Sequence, residues 1–203
     1  MSGGQGVRKE IWKGGTMIYP LPAPMITCGD IDGIRNIITI AWTGIISTEP
    51  PRCYISVRPQ RYSYNLIRES GEFVINLTTG ALAFATDWCG VKSGKDVDKF
   101  LEMKLTPQRA AEVKAPLIAE SPINIECRIF DILKMGSHDM FLADILCIHA
   151  TGSFIDKQTG AFNLEQADPI CYSHGKYYSV DKFIGKFGFS VKKKKKKKKG
   201  NKR

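Results

Sequence analysis

Two guanidiniums and two hydroxyls fall within eight residues, Ser56-Val57-Arg58-Pro59-Gln60-Arg61-Tyr62-Ser63. At a strand-to-helix junction such a set joins charge-assisted hydrogen bonds to the free N–H groups of a helix N-terminus, which is the chemistry that holds a phosphate. The same letters also suit a solvated helix cap. Asn36, Thr39, Trp42 and Thr43 lie upstream on a strongly β run, Lys95 and Lys99 in a later loop and helix, and His138 beside an expected hairpin turn. Each has an ordinary alternative: Asn36 can close a turn, Trp42 can be core, and His138 can be a surface residue.

Compact catalytic motifs are missing. No GxGxxG follows a strand, and Gly90-Val-Lys-Ser-Gly-Lys95-Asp96 lacks both the four-residue glycine spacing and the final Ser or Thr of a P-loop, which removes the main support for dinucleotide-fold and nucleoside-triphosphatase readings. Cys28, Cys53, Cys89, Cys127, Cys147 and Cys171 are separated by 25, 36, 38, 20 and 24 residues. No CxxC pair supports a zinc ribbon, an iron–sulfur cluster or a dithiol centre, and the expectation is buried free thiols with no metal.

The elements that must position these side chains are mostly strands. The Pro20–Cys28 run reads as an extended segment confined to an edge by its prolines, and Asp32-Gly33 as a tight turn. Asn36–Ile46, dense in β-branched and aromatic residues, reads as one long strand, joined through Glu49-Pro50-Pro51 to another at Cys53–Val57. A short helix is expected over Arg61–Ser70, stopped by Gly71, and a strand over Glu72–Thr78. Helical pieces follow at Ala81–Cys89 and Asp96–Met103. Ile123–Leu133 and Met140–Ala150 form an expected antiparallel hairpin, with a short pair after it at Gly152–Ile155 and Ala161–Leu164. Strand pairs linked by turns, with short inserted helices, favour an antiparallel barrel over a parallel α/β sheet.

The chain has 203 residues, 43% of them hydrophobic, which suits one compact domain or at most two small ones. Its net charge of +10 is local: residues 192–203 hold ten basic and no acidic residues, leaving 20 of each in the rest. A charge-balanced body argues against a basic groove built into the fold, so nucleic acid is not expected as a partner of the domain. No run approaches the about 20 apolar residues that span a bilayer, and Met1–Lys13 has no signal-peptide core, so a cytoplasmic protein is expected. The divisions expected are a loose arm over 1–17, one domain over 18–191 and a solvated polylysine tail over 192–203.

Pro22-Ala-Pro24, Asp32-Gly33-x-x-Asn36, Thr39-Ile-Ala-Trp42, Pro50-Pro51, Ser56-x-Arg58, Arg61-Tyr-Ser63, Gly71–Asn76, Asp98-Lys99-Phe100 and Gly136-Ser-His138-Asp139 stand in an order that resembles the flavin reductase-like, FMN-binding split-barrel family, in its flavoredoxin-like branch. The resemblance covers roughly residues 18–190. It implies a mainly β fold with short helices, an antiparallel six-stranded split barrel that forms a homodimer, and one non-covalent FMN per subunit. It also implies NADH or NADPH as reductant, or electron transfer through FMN to a redox partner protein. Carried onto this chain, Asn36, Thr39, Ala41, Trp42 and Thr43 line the flavin ring and ribityl side, and Ser56, Val57, Arg58 and Ser63 hold the phosphate. Lys99 with Lys95, and His138, approach from later segments, and Cys171 or Tyr172 closes the edge. Ser63 stands where many relatives carry threonine, a hydroxyl-for-hydroxyl change. A rival reading makes the lysine tail an anchor for nucleic acid or an acidic surface; a third is a flavin-storing or haem-handling barrel without reductase activity.

Overall fold

The computed structural model describes residues 7–191. The expected polylysine tail, residues 192–203, lies outside the described residues, as do positions 1–6 of the expected arm.

The chain opens with strands β1 (Leu21–Pro22), β2 (Met25–Gly29), β3 (Arg35–Thr39), β4 (Thr43–Thr48) and β5 (Pro51–Val57). Helix α1 (Tyr62–Ser70) and β6 (Glu72–Asn76) follow, then α2 (Ala83–Val91) and α3 (Lys99–Glu102). After the short pair β7 (Pro107–Gln108) and β8 (Leu117–Ile118) comes the long hairpin β9 (Ile123–Lys134) and β10 (Asp139–Ala150), and β11 (Ile170–Ser173) and β12 (Lys176–Ser179) complete the strands.

Seven strands form the main sheet in the order β3-β2-β6-β9-β10-β5-β4, with every neighbouring pair antiparallel. Its two edge strands, β3 and β4, are consecutive in sequence and separated only by Ile40, Ala41 and Trp42. Laid flat, seven strands would put those edges about 29 Å apart, yet four residue steps reach at most about 14 Å. The sheet therefore curls until its edges approach, making a barrel split between β3 and β4. The expected strand count of six is corrected here. Asn36–Ile46 is two strands, because the chain must turn at Ile40–Trp42 to pass from one edge to the other.

A second correction concerns Pro20–Cys28. Pro22 does sit at an edge, in β1 flanking β11 in a separate three-stranded sheet, but Pro24 leads into Met25–Gly29, an interior strand between β3 and β6 that is buried along its whole length. Both of its faces are covered. Ile26 and Cys28 point into the barrel core with Ile38, Ile55, Phe73 and Phe141, while Met25 packs outward with Ile37 against Leu82, Cys89 and Phe100 of the helical layer. Strands covered on both sides lose the polar alternation that marks a solvated face.

Helix α1 plugs the barrel with Tyr64 and Ile67, and ends as expected at Gly71, whose φ of 71° is cheap only for glycine and whose N–H bonds Ile67 O at 3.0 Å. Inside the barrel the Tyr64 hydroxyl donates to the Asp139 carboxylate at 2.6 Å. The third helical expectation, Asp96–Met103, shortens to Lys99–Glu102, started by Asp98, whose side chain accepts from the N–H groups of Phe100 and Leu101. The pair expected at Gly152–Leu164 reduces to a single bridge, Ile155 to Phe162. Among the described residues, no helix is long and apolar enough to cross a membrane.

Candidate functional site

Because the barrel splits between β3 and β4, the ends of β3 and β5, the β3–β4 link and the start of α1 meet at one place. Two small cavities lie there. The first, about 130 Å³, is lined by Asn36, Arg61, Tyr62, Ser63, Gly94 and Lys99 among others. The second, about 110 Å³, is lined by Thr39, Trp42, Ser56, Val57, Arg58 and His138. Ile38 and Arg61 belong to both walls. Trp42 also lines a third and larger cavity of about 340 Å³, with Tyr54, Leu21 and residues 15–19. The character changes along this series, from cationic and hydroxylic at Ser63 and Arg61 to aromatic and aliphatic at Trp42, Tyr54 and Ile18.

The cationic end is built on α1. Arg61, at its N-cap, makes no side-chain capping bond, and no acidic residue occupies the first turn, so the helix presents free N–H groups beside two guanidiniums. Ser63 is buried, and its hydroxyl accepts a hydrogen bond of 2.8 Å from the Asn36 amide. Gly94 closes that pocket from above. A Cβ there would fall inside the Asn36 carboxamide, so the loop can approach only because the residue is glycine.

Lys99 is almost fully buried and donates to Ile37 O and Cys89 O, both at 2.7 Å, tying α2 to β3 behind the cavity. Burial depresses its ammonium to about 8, against the pull of the neighbouring thiols. Those thiols are themselves pushed up by burial, Cys28 to about 12 and Cys89 to about 11, so neither is a nucleophile at neutral pH. Four of the six cysteines are buried, and all six are free.

At the other end the His138 ring lies 4.4 Å from that of Trp42, with planes 39° apart. Its Nδ1 is 2.9 Å from the Ser137 hydroxyl. Burial first, then the charges of Arg58 and Arg61, lower its pKa, so the imidazole is neutral at pH 7. The backbone fixes Trp42 from the far side, where Ser56 N donates to Trp42 O at 2.9 Å. Thr39 and Thr43 spend their hydroxyls on Thr86 O and Tyr54 O, at 2.5 and 2.6 Å.

Ten of the expected residues thus gather around one groove: Asn36, Thr39, Trp42, Ser56, Val57, Arg58, Ser63, Lys99 and His138 line its cavities, and Ala41 lies in the turn beside Trp42. Val57 contributes from the core side, being buried at the end of β5. Thr43 begins β4 next to Trp42. Lys95 is exposed and lines outer hollows with Tyr62, on the far side of Ser93 and Gly94. Cys171 is not brought to the groove; it sits in the β1-β11-β12 sheet, paired with Pro22 and Tyr178. The sequence reading passed over Tyr54, Lys92 and Gly94. Only Gly94 had a local signal, as a glycine in a loop, and a loop glycine by itself does not say what presses on it.

Over residues 16–181 the chain matches the family described as Flavin reductase like domain. Its fold superposes on flavoredoxin of Desulfovibrio vulgaris (Miyazaki F) with a TM-score of 0.84 and 29% identity, covering 91% of this chain and 100% of that one. A protein of Aeropyrum pernix, described only as uncharacterized, is 30% identical over 77% of this chain and 58% of its own length, so the match spans less than two thirds of that relative. An NADPH-flavin oxidoreductase of Streptomyces viridifaciens is 23% identical over 66% of this chain and 69% of its own length. With 166 consecutive positions matched, from the arm's end through the last strand, this chain belongs to the flavin reductase-like domain family.

Proposed function

We propose that this protein binds FMN non-covalently in the groove and works as an NAD(P)H:flavin oxidoreductase or a flavoredoxin-type electron carrier, as a homodimer. The observation that carries the reading is the ordered change along the three cavities, from guanidinium, hydroxyl and helix N–H donors to an aromatic and aliphatic end. An amphiphile with a phosphate at one end and a flat ring at the other has that polarity. The donor set fits: Arg58, Arg61, Ser63 and the first turn of α1 suit a dianionic phosphate, and the indole of Trp42 suits the face of a ring.

When bound, the flavin ring itself supplies the electron and hydride chemistry. The chain's residues position and tune it. Asn36 orients the Ser63 hydroxyl, whose own proton is then free to point into the cavity. Neutral His138 can offer one ring hydrogen bond without adding a charge. Lys99, held by two carbonyls, places a cation in the cavity wall, where it favours negative charge arriving on a bound ligand.

The test is the visible spectrum of the purified protein, followed by anaerobic addition of NADH and then NADPH. Flavin bands that bleach promptly with either nucleotide support the reductase, and bands that resist both support a carrier reduced by another protein. A colourless protein that takes up no added FMN sinks the proposal.

A further inference from the structure

Outside the groove, three side chains of different donor type converge on the barrel's outer wall. Cys127 points into the core, so its neighbour Glu126 on β9 faces outward, under the segment 110–113. Glu126 is fully buried. Its Oε2 accepts from the N–H groups of Glu112 and Val113 at 2.7 and 3.0 Å, and its Oε1 from that of Ala111 at 2.8 Å. The β10 strand slips register between Ile145 and Cys147, which leaves Cys147 directly opposite Glu126 and His149 two residues on along the same face. His149 Nε2 lies 2.5 Å from Glu126 Oε1 and 3.7 Å from Cys147 Sγ, and the three donor atoms all fall within 4.8 Å of one another.

We propose that Glu126, Cys147 and His149 form a binding site for a divalent metal of zinc type, with a water completing four-coordination. Thiolate, imidazole and carboxylate together suit a borderline cation better than magnesium or calcium, which prefer oxygen alone. The sulfur-to-nitrogen separation already matches a shared metal, since bonds of about 2.3 and 2.0 Å at a tetrahedral angle put the two atoms about 3.5 Å apart. The nitrogen-to-oxygen gap must open to about 3.3 Å by the same geometry. His149 supplies that movement: its side chain is 35% exposed, whereas the Glu126 carboxylate is fixed by three N–H groups. Those N–H groups also provide the outer layer that orients a ligating carboxylate. Binding replaces the Cys147 thiol proton with the metal and requires the His149 proton on Nδ1, so one proton is released for each metal bound to the neutral imidazole. The metal then cross-links β9 to β10 across the register slip, through the same carboxylate that holds the 110–113 segment.

The experiment uses the full-length protein as purified, stripped with a chelator, supplied with zinc at micromolar free concentration and dialysed before metal analysis. One zinc per chain is expected, with affinity falling at least about tenfold in Cys147→Ser and in His149→Ala and unchanged in His174→Ala, which alters an exposed histidine elsewhere. In the unaltered protein, cobalt(II) should give visible bands at longer wavelength than the flavin envelope, together with a thiolate charge-transfer band that zinc abolishes. Retention far below one zinc per chain, or one zinc indifferent to Cys147→Ser, overturns the proposal and leaves His149 as a hydrogen-bonded clamp on Glu126.

Discussion

The imidazole of His138, from the turn of the β9–β10 hairpin, rests against the indole of Trp42, from the link between β3 and β4. Residues 96 positions apart in the chain thus stand side by side at the split of the barrel. With both arginines facing it, His138 senses whatever anion enters. Its pKa should lie below the usual 6.5 in the flavin-free protein, and a phosphate bound between Arg58 and Arg61 should cancel the charges that lower it. Proton NMR titration of His138 is therefore expected to show an upward shift on adding FMN and a smaller one with riboflavin. Equal shifts with the two ligands would place the phosphate elsewhere.

Arg58 is exposed at the end of β5, so its truncation should leave the fold intact and remove one charge-assisted contact. Such a contact is worth about 1.5–3 kcal/mol, or roughly 10- to 150-fold in affinity. Arg58→Ala should weaken FMN by that factor while riboflavin changes little, as read by fluorescence titration of both ligands.

At the aromatic end, Trp42→Ala should weaken FMN and riboflavin alike, because both carry the ring. The quenching of flavin fluorescence on binding should fall with it. An unchanged affinity and spectrum would return Trp42 to a packing role.

Gly94→Ala drives a methyl group into the Asn36 carboxamide. The expected result is about 1–3 kcal/mol lost in urea denaturation, with Asn36 displaced from Ser63 and FMN affinity reduced. Adding Asn36→Ala should recover much of the stability and none of the affinity, separating the clash from the lost polar contact.

Lys99 carries a pH signature. Its folded pKa of about 8 lies below the ordinary 10.5, so between those values the unfolded chain holds more protons and stability rises with pH. Below about 8 both states are charged and the cost of burying the charge is fully present. The neutral amine still has two N–H groups, enough for Ile37 O and Cys89 O. Comparing the wild type with Lys99→Met at pH 7.5 and pH 10 cancels the contribution of the thiols, whose ionisation works in the opposite direction. The wild type should gain on the variant at the higher pH, and a constant difference would mean that Lys99 is not depressed.

Much of the architecture was legible along the chain because its cues are local. Gly71 ends α1, the β9–β10 hairpin declares itself by two β-rich runs around Gly136, and the hydroxyl and guanidinium cluster at 56–63 marks the strand-to-helix junction. Asn36, Ser56, Arg58, Ser63 and His138 could be named from the order of their motifs. Other features depended on contacts that no local pattern encodes. The division of Asn36–Ile46 into two edge strands follows from closing a seven-stranded sheet, a condition on the whole barrel. The interior place of Met25–Gly29 depends on the helical layer that covers its outer face, and the pressure of Gly94 on Asn36 on a loop 58 residues away. Local propensity and turn chemistry act over a few residues and can be read directly. Which strands become edges, and which side chains meet across them, is set by burial summed over the fold, so Cys147, His149 and Glu126 become neighbours only through the register of β9 against β10.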